Sequence, residues 1–274
     1  MKLTFLGSGA AEGIPSPFCN CRTCDYARAA KGRNVRRRQA VLINDDLMID
    51  FGPDIYISLE QTGLSMIPVQ YLLVTHSHSD HFYAGNLDFR PQAFRRSTTL
   101  PALKLIGGPS VQTLWTMHTS GDGEKQDIVR HPILPGDRLS LSPYEIQAIQ
   151  ARHLLDIGDA MNYIIEDGAH RLLYATDTGL YDESSWQHIE RERMDMVVME
   201  MTYGLQAGSE IHLGIGEYME MRRRLTELGC IDDTTLCIAA HFSHQDTPPH
   251  DELEQQLLEH NIIAAYDGLI VEIG

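Results

Sequence analysis

The sequence has 274 residues, 43% of them hydrophobic and 22% charged, a composition ordinary for a soluble globular protein with one large core or two half-domains sharing one. Its formal net charge of −16 disfavours nucleic acids and anionic membranes as partners, because both require a basic surface, but it leaves room for a small phosphorylated substrate. No apolar run reaches the roughly 18 residues of a membrane-spanning helix, and the N-terminus passes directly into a strand-like pattern. We therefore expect a cytoplasmic protein.

The first elements are a predicted strand and a cysteine-rich loop. Residues 2–6 are typical of a strand, and the glycine-rich segment 7–13 predicts a loop whose backbone approaches a site closely. Cys19, Cys21 and Cys24 follow with the spacing of a structural zinc site that lacks its fourth ligand. The alternative is three free cysteines in a loop. A zinc site here needs one more ligand from a distant part of the sequence.

A dense basic run, residues 31–38, leads directly into the predicted strand 40–44. One hypothesis is a solvated charged face, the ordinary role of such runs. The other is that one or two of Arg36, Arg37 and Arg38 lie at the rim of a site and bind a substrate phosphate by bidentate contacts.

The strongest candidate site follows the predicted strand 69–74. Because side chains two residues apart in an extended segment point to the same side, His76 and His78 can converge on one metal ion. Asp80 can cap a helix predicted to begin at Phe82 and still offer an oxygen outward, while His81 faces away from the first pair. Three imidazoles and one carboxylate suit two neighbouring cations of borderline hardness, such as Zn, Mn or Fe.

Ligand-type side chains also stand at the ends of later predicted strands, where a lone histidine is usually structural. His153 ends the alternating segment 144–153, and Asp177 follows the strand 171–176. A carboxylate at a strand end can give one oxygen to each of two metals. His241 ends the apolar strand 234–240, and His212 stands just before an amphipathic helix predicted at 215–228, where its side chain can lean over a cleft.

The H-x-H-x-D-H motif after a hydrophobic strand, followed by strand-His, strand-Asp-Thr-Gly and a final strand-His, resembles the metallo-β-lactamase superfamily. The resemblance implies an α/β (α+β) fold, an αββα sandwich of two mixed β-sheets flanked by helices. It also implies a single domain of residues 1–274 with two similar halves, 1–135 and 136–274. Two divalent metal ions (Mn, Zn or Fe) are implied, the first bound by His76, His78 and His153, the second by Asp80, His81 and His241, with Asp177 bridging them. Asp50 would support the histidine loop without binding metal.

A narrower resemblance is carried by the cysteine loop together with the pair His241 and His244. The combination is similar to the phosphoribosyl cyclic phosphate phosphodiesterases of the carbon–phosphorus lyase pathway and their relatives. It implies one structural zinc bound by Cys19, Cys21, Cys24 and His244. Phosphodiesterases of the superfamily carry a histidine that donates a proton to the leaving group, and His212 matches it. The alternative for His212 is an ordinary surface histidine.

We therefore expect a dinuclear metal-dependent hydrolase, a phosphodiesterase in which metal-activated hydroxide attacks a small phosphodiester, cyclic or linear. Asp80, Asp177 and His212 would be its catalytic residues, with His212 as general acid. Two alternatives share the fold: a thioester or lactone hydrolase, and a non-catalytic relative from cofactor biosynthesis. The acidic charge disfavours a tRNA three-prime-end endonuclease. The small diester is the expected partner, and a homodimer stays open.

Overall fold

The computed structural model describes residues 1–96, 98–119, 127–190 and 192–274. Its strands are β1 (Lys2–Gly7), β2 (Ala40–Ile43), β3 (Leu47–Ile49), β4 (Tyr71–Leu73), β5 (Leu103–Gly107), β6 (Ile128–Pro132), β7 (Arg138–Leu141), β8 (Tyr144–Gln150), β9 (Met161–Glu166), β10 (Arg171–Ala175), β11 (Met196–Glu200), β12 (Leu236–Ala240), β13 (Ile262–Ala264) and β14 (Ile270–Glu272). Its α-helices are α1 (Arg22–Ala30), α2 (Ile55–Thr62), α3 (Pro109–Thr119), α4 (Glu183–Ile189), α5 (Ile215–Glu227) and α6 (His250–Leu258).

The strands form two mixed sheets of seven strands each within these ranges. The first has the order β14-β1-β2-β3-β4-β5-β6 and is parallel from β3 to β6. The second has the order β13-β12-β11-β10-β9-β8-β7 and is parallel from β10 to β13. Because β8 and β10 are both antiparallel to β9, the strands β8, β10, β11 and β12 all end at the same edge.

The main hydrophobic core lies between the two sheets. Phe5 and Leu73 of the first sheet and Tyr163 and Val198 of the second belong to it, and all four side chains are fully buried. Inward-facing apolar residues at every second strand position supply this layer, which is the period that the sequence shows.

Helices cover the outer face of each sheet. Trp115 of α3 packs with Leu59 of α2 on the first sheet. On the second sheet, Trp186 of α4, Tyr218 of α5 and Leu253 of α6 share a separate core. Helices on both outer faces of two stacked sheets make the αββα sandwich of the sequence analysis, and that prediction is confirmed.

The segment after His81 differs from its prediction. Phe82 forms a parallel bridge with Phe51, and the backbone N–H of Tyr83 donates to the carbonyl of Phe51 (2.9 Å). This pairing holds the chain extended, so that a short 3₁₀ helix begins only at Ala84 and Asp80 does not cap it. The predicted helix therefore begins two residues later than expected and is a 3₁₀ helix, and the predicted capping by Asp80 is wrong.

The last strand of the chain crosses to the first sheet. β14 pairs with β1, whereas β7 to β13 all belong to the second sheet. The division into similar halves at residue 135 stays a prediction. Among the described residues, no helix combines the length and apolar character that crossing a bilayer requires.

Candidate metal centre

A buried aspartate anchors the loop that follows β4. Asp50, just after β3, accepts a hydrogen bond from the backbone N–H of Thr75 (2.8 Å), and its Oδ2 lies 2.8 Å from Nδ1 of His81. Both Asp50 and His81 are fully buried. A carboxylate at Nδ1 fixes the ring proton there, so Nε2 of His81 keeps its lone pair for another partner.

One group of candidate ligands joins His76 and His78 from this loop with His153 from the end of β8. Nδ1 of His78 lies 2.9 Å from Nε2 of His76 and 3.2 Å from Nε2 of His153. Nitrogens bound 2.0–2.1 Å from a tetrahedral metal ion are separated by about 3.3 Å, so the spacing fits one cation. Burial, with the neighbouring His81, holds the pKa of His76 well below its ordinary value. His76 is therefore neutral, the form that binds metal.

The second group joins Asp80 and His81 with Asp177, after β10, and His241, after β12. Nε2 of His81 lies 2.6 Å from Oδ2 of Asp177 and 3.1 Å from Oδ2 of Asp80, and Nε2 of His241 lies 3.1 Å from Oδ2 of Asp177. Among the described residues, none donates to or accepts a hydrogen bond from the buried atoms His81 Nε2, Asp177 Oδ2 or His241 Nε2. Two ring nitrogens and a carboxylate oxygen that are buried, with each nitrogen within 3.1 Å of the oxygen, and that make no hydrogen bond to a described residue, fit a divalent cation.

The electrostatics of this second group indicate the same fit. Burial opposes charge on His81, yet the carboxylates of Asp177, Asp80 and Asp50 together raise its pKa well above the ordinary value. Burial likewise opposes charge on Asp177, but His241 and His81 lower its pKa well below the usual range. The carboxylates thus require a positive centre between them, and a bound metal ion can replace the proton in that role.

Three of the residues that build this centre have a left-handed backbone. Asp50, Asp177 and His241 have φ angles of 63°, 51° and 56°. Such angles are uncommon for residues other than glycine and cost free energy, and they concentrate at functional sites. Each occurs where a strand ends, and the turn directs the side chain to the centre rather than along the sheet.

Glu200, at the end of β11, was not identified from the sequence. It is fully buried, and its carboxylate lies 2.9 Å from Nδ1 of His212 and accepts hydrogen bonds from the N–H groups of Thr178 (2.6 Å) and Leu213 (3.2 Å). Burial opposes a charge on His212, but Glu200 outweighs it and raises the pKa of His212 to about 9. A carboxylate at the end of a buried strand is the same signal that identified Asp177, and it applied to Glu200 as well.

The three loop cysteines gather around His244 as the narrower resemblance implied. One ligand atom of each of Cys19, Cys21, Cys24 and His244 lies within 4.8 Å of all the others. Sγ of Cys21 is 3.5 Å from Nδ1 of His244. Burial opposes ionisation of Cys21, but hydrogen bonds from the Cys24 backbone and from His244 outweigh it and lower its pKa to about 7. A donor set of three thiols and one imidazole fits tetrahedral zinc.

A cavity of about 270 Å³ opens over the first two groups. Its lining comprises Ala10, Ala11, Glu12, His78, Asp80, His153, Asp177, Thr202, Tyr203, His212, His241, Ser243, Gln245 and Asp246. The glycine-rich loop after β1 therefore contributes Ala10, Ala11 and Glu12 to the site. His212 lines the cavity with its ring 4.9 Å from that of His153, measured between centroids.

The arginines at 36–38 do not line this cavity, and the substrate contact that the sequence suggested for one or two of them stays a prediction. Arg36 is buried and donates to Ser8 (2.9 Å), to the Ala265 carbonyl and to His250 (2.9 Å). Arg37 pairs with Asp267 (3.2 Å), and Arg38 with Asp54 (2.8 Å). Buried or half-buried guanidinium groups require partners, and these partners come from distant parts of the chain.

Known proteins resemble this chain over part or all of its length. The Coenzyme PQQ synthesis protein B of Methylobacterium radiotolerans is 26% identical over 195 residues, 64% of this chain and 64% of that protein. The chain spans less than two thirds of the length of the curated relatives that it matches, between 17% and 64%.

Solved structures match it more completely. A new diphosphatase from the PhnP family superposes with a TM-score of 0.78 at 21% identity, covering 99% of this chain and 96% of that one. Zn(2+)-bound PqqB from Methylobacterium extorquens superposes with a TM-score of 0.76 at 17% identity over 100% of both chains. At these identities the likeness concerns the fold.

A family model described as the beta-lactamase superfamily domain matches residues 46–231, more than half of the sequence. The matched segment contains β4 with its histidine loop, His153 and Asp177. The resemblance inferred from the sequence motifs is thereby confirmed. The chain belongs to the family described as the beta-lactamase superfamily domain.

Proposed function

We propose that this protein is a dinuclear metal-dependent hydrolase that cleaves a small phosphodiester. The observation that carries the proposal is the convergence of His81, Asp177 and His241, whose ligand atoms are buried, lack hydrogen-bond partners within the described residues and lie 2.6 and 3.1 Å apart. Seven ligand-type side chains form overlapping groups here, and five of them (His78, Asp80, His153, Asp177 and His241) line the same cavity. A single cation cannot bind all of them at normal distances, which favours a pair.

Named residues would hold each ion. His76, His78 and His153 would hold the first, and Asp80, His81 and His241 the second, with Asp177 between them. Cys19, Cys21, Cys24 and His244 would hold a separate structural zinc. Two divalent cations, when bound, lower the pKa of a coordinated water and neutralise phosphoryl charge.

The side chains of the protein itself would supply proton transfer and orientation. His212 lines the cavity, and Glu200 at Nδ1 favours a proton on the ring, so the opposite atom, Nε2, can protonate a departing alkoxide. Oγ1 of Thr202 lies 2.9 Å from Nδ1 of His241 and would hold the orientation of that imidazole ring. A volume of about 270 Å³ is slightly below the range of pockets for drug-sized ligands, which favours a small substrate.

The test is metal analysis together with hydrolysis of bis-p-nitrophenyl phosphate. The metal-loaded protein should turn over this diester, and Asp177→Ala should lose nearly all activity because both ions lose a shared ligand. Asp233→Ala, which removes an exposed carboxylate on the loop before β12, is the matched control and should keep full activity. Full activity in Asp177→Ala would contradict the proposal.

A role in cofactor biosynthesis is the second candidate, and the similarity to PQQ synthesis protein B favours it. A binding-only protein does not need a proton donor beside the metals, whereas His212 and its buried partner Glu200 form one here. Diester hydrolysis that depends on Asp177, and also on His212 where the leaving alkoxide requires a proton, would support the phosphodiesterase. Metal binding without turnover of any diester, thioester or lactone would favour the second candidate.

A further inference from the structure

Beyond the candidate metal ligands, two further carboxylates line the cavity. Glu12 and Asp246 both face it, and within the described ranges no lysine or arginine does. Glu12 accepts a hydrogen bond from the Ser243 hydroxyl, and its Oε1 lies 3.6 Å from Nε2 of His244. In the described part of the chain, neither Glu12 nor Asp246 forms an ion pair with an arginine or a lysine. Neither carboxylate is therefore neutralised by a described arginine or lysine, although Glu12 already contacts Ser243 and His244.

Two arginines close to residues of the cavity lining already have carboxylate partners. Arg38 donates from Nε to the carbonyl of Ala11, a cavity residue, but its terminal nitrogen binds Asp54 at 2.8 Å. Arg152, adjacent to His153, pairs with Glu210. An arginine in contact with a carboxylate produces little net electrostatic potential at a distance. Arg38 and Arg152 therefore do not offset the negative potential of Glu12 and Asp246 inside the cavity.

An aromatic ring stands beside the carboxylates. Tyr203 lines the cavity next to Gly204, whose φ is 50° and where an added Cβ would lie 2.3 Å from the carbonyl oxygen of Asp246. The N–H of Leu205 donates to that same carbonyl (3.4 Å). This close approach holds Tyr203 next to Asp246. Carboxylates together with an aromatic face are the groups that recognise ammonium ions.

We infer that the site selects phosphodiesters whose second ester group carries a positive charge and discriminates against those that carry a second phosphate. The inference rests on the proposed function, because the metal centre would hold the phosphodiester itself. Glu12, Asp246 and Tyr203 are then specificity-determining residues. A second phosphate would meet two carboxylates and no basic side chain, and such like-charge contacts cost binding energy.

The experiment compares three p-nitrophenyl phosphodiesters with the metal-loaded protein. They share one leaving group and differ in the other alcohol, which is choline (cationic), ethanol (neutral) or 2-phosphoethanol (anionic). We expect kcat/KM to fall in that order, with about tenfold or more between the first and the last. Equal values, or the reverse order, would overturn the inference while leaving the proposed phosphodiesterase intact.

Two isosteric variants test the named residues. Glu12→Gln and Asp246→Asn should each reduce the preference for the choline ester over the phosphoethyl ester by about threefold to tenfold, mainly through KM. Glu259→Gln and Asp233→Asn remove exposed carboxylates elsewhere and should leave the preference unchanged. An unchanged preference in Glu12→Gln, in Asp246→Asn and in the double variant would assign selectivity to other residues and refute the inference.

Calorimetry distinguishes failure of the proposed phosphodiesterase from failure of the proposed selectivity. Binding of phosphocholine and of ethyl phosphate can be measured even if no diester is cleaved. We expect phosphocholine to bind about tenfold more tightly. Absence of turnover with this preference intact would refute the phosphodiesterase and keep the selective cavity. Equal affinity for the two phosphates would refute the selectivity.

Discussion

Single residues at strand ends give the candidate centre its chemistry, and His212 shows how a partner changes what a residue can do. An isolated histidine is only partly protonated at neutral pH, whereas burial opposes a charge on His212 and the neighbouring Glu200 outweighs it, raising the pKa of His212 to about 9. Metal ions bound nearby would oppose this shift by repulsion. The pair Glu200 and His212 is thus suited to hold a proton next to the cations and release it to a leaving group.

We predict that the loss of activity caused by His212→Asn depends on the leaving group of the substrate. Hydrolysis of a 2′,3′-cyclic nucleotide, whose alkoxide requires a proton, should fall about 10²–10⁴-fold, the usual contribution of a general acid. Hydrolysis of bis-p-nitrophenyl phosphate should fall much less, because p-nitrophenolate leaves without protonation. Metal content should stay unchanged, as measured by mass spectrometry. Equal losses on both substrates would contradict a proton-donating role.

We predict that Cys21→Ser loses about one zinc per chain and lowers the unfolding temperature, since a structural metal contributes folding free energy directly. Metal analysis and thermal unfolding measure the two effects. Cys237→Ala is the control, because Cys237 belongs to a hydrophobic core and not to the ligand group. Zinc stoichiometry that is identical in Cys21→Ser and the unsubstituted protein would refute the structural zinc.

At the scale of elements, short segments of backbone position the ligands. Gly52, just after β3, allows the histidine loop to pack directly on the chain, since an added Cβ would lie 1.9 Å from the carbonyl oxygen of Asp80. The parallel bridge between Phe51 and Phe82 extends the same contact. The loop after β4 is therefore fixed by β3 as well as by its own sequence.

We predict that Gly52→Ala displaces the Asp80 loop. Overpacking of this kind costs about 1–3 kcal/mol in the free energy of unfolding, and the shift should weaken metal binding because Asp80 and His81 lie on the displaced segment. Urea unfolding and metal titration measure these effects. Gly216→Ala in α5 is the matched control, with no atom within 4 Å of the added Cβ. Unchanged metal affinity in Gly52→Ala would show that the close approach of Gly52 to the Asp80 carbonyl is not needed to position the candidate ligands.

The elements differ in how far the sequence specifies them. β4, β10 and β12 were predicted because each combines an apolar run with a polar end, a pattern contained in fewer than ten residues. The helix expected at Phe82 begins only at Ala84 because pairing of Phe82 with Phe51, about thirty residues earlier, overrides local helical preference. Local patterns predict an element only where no distant strand competes for its backbone.

At the scale of the whole molecule, side-chain contacts join α6 to the basic segment before β2. His250 of α6 is buried, with Nδ1 2.9 Å from Arg36 and Nε2 3.3 Å from Arg33. Burial and the two cations lower the pKa of His250 to about 3. The folded protein therefore resists protonation at a position that the unfolded chain would protonate near pH 6.5.

We predict that this histidine makes stability sensitive to acid. Because its pKa is lower in the folded state, its contribution is fully present above about pH 6.5 and is lost progressively as the pH falls toward 3. Urea unfolding at pH 7 and pH 5 should show a smaller difference for His250→Asn than for the unsubstituted protein. The same pH dependence in both proteins would assign the acid sensitivity to other groups.

The sequence by itself determined the ligand types, their order and the fold that delivers them. His76, His78, Asp80 and His81 lie within six residues, and the later candidate ligands each end a strand, in an order that the resemblance to the superfamily identifies. The tertiary structure decided what surrounds them. It directs Arg36–Arg38 to partners that include Asp267 and His250, places Glu200 behind His212 and gathers Glu12 and Asp246 on one cavity. Such pairings join residues up to some 230 positions apart, and only packing of the two sheets and their loops brings them into contact.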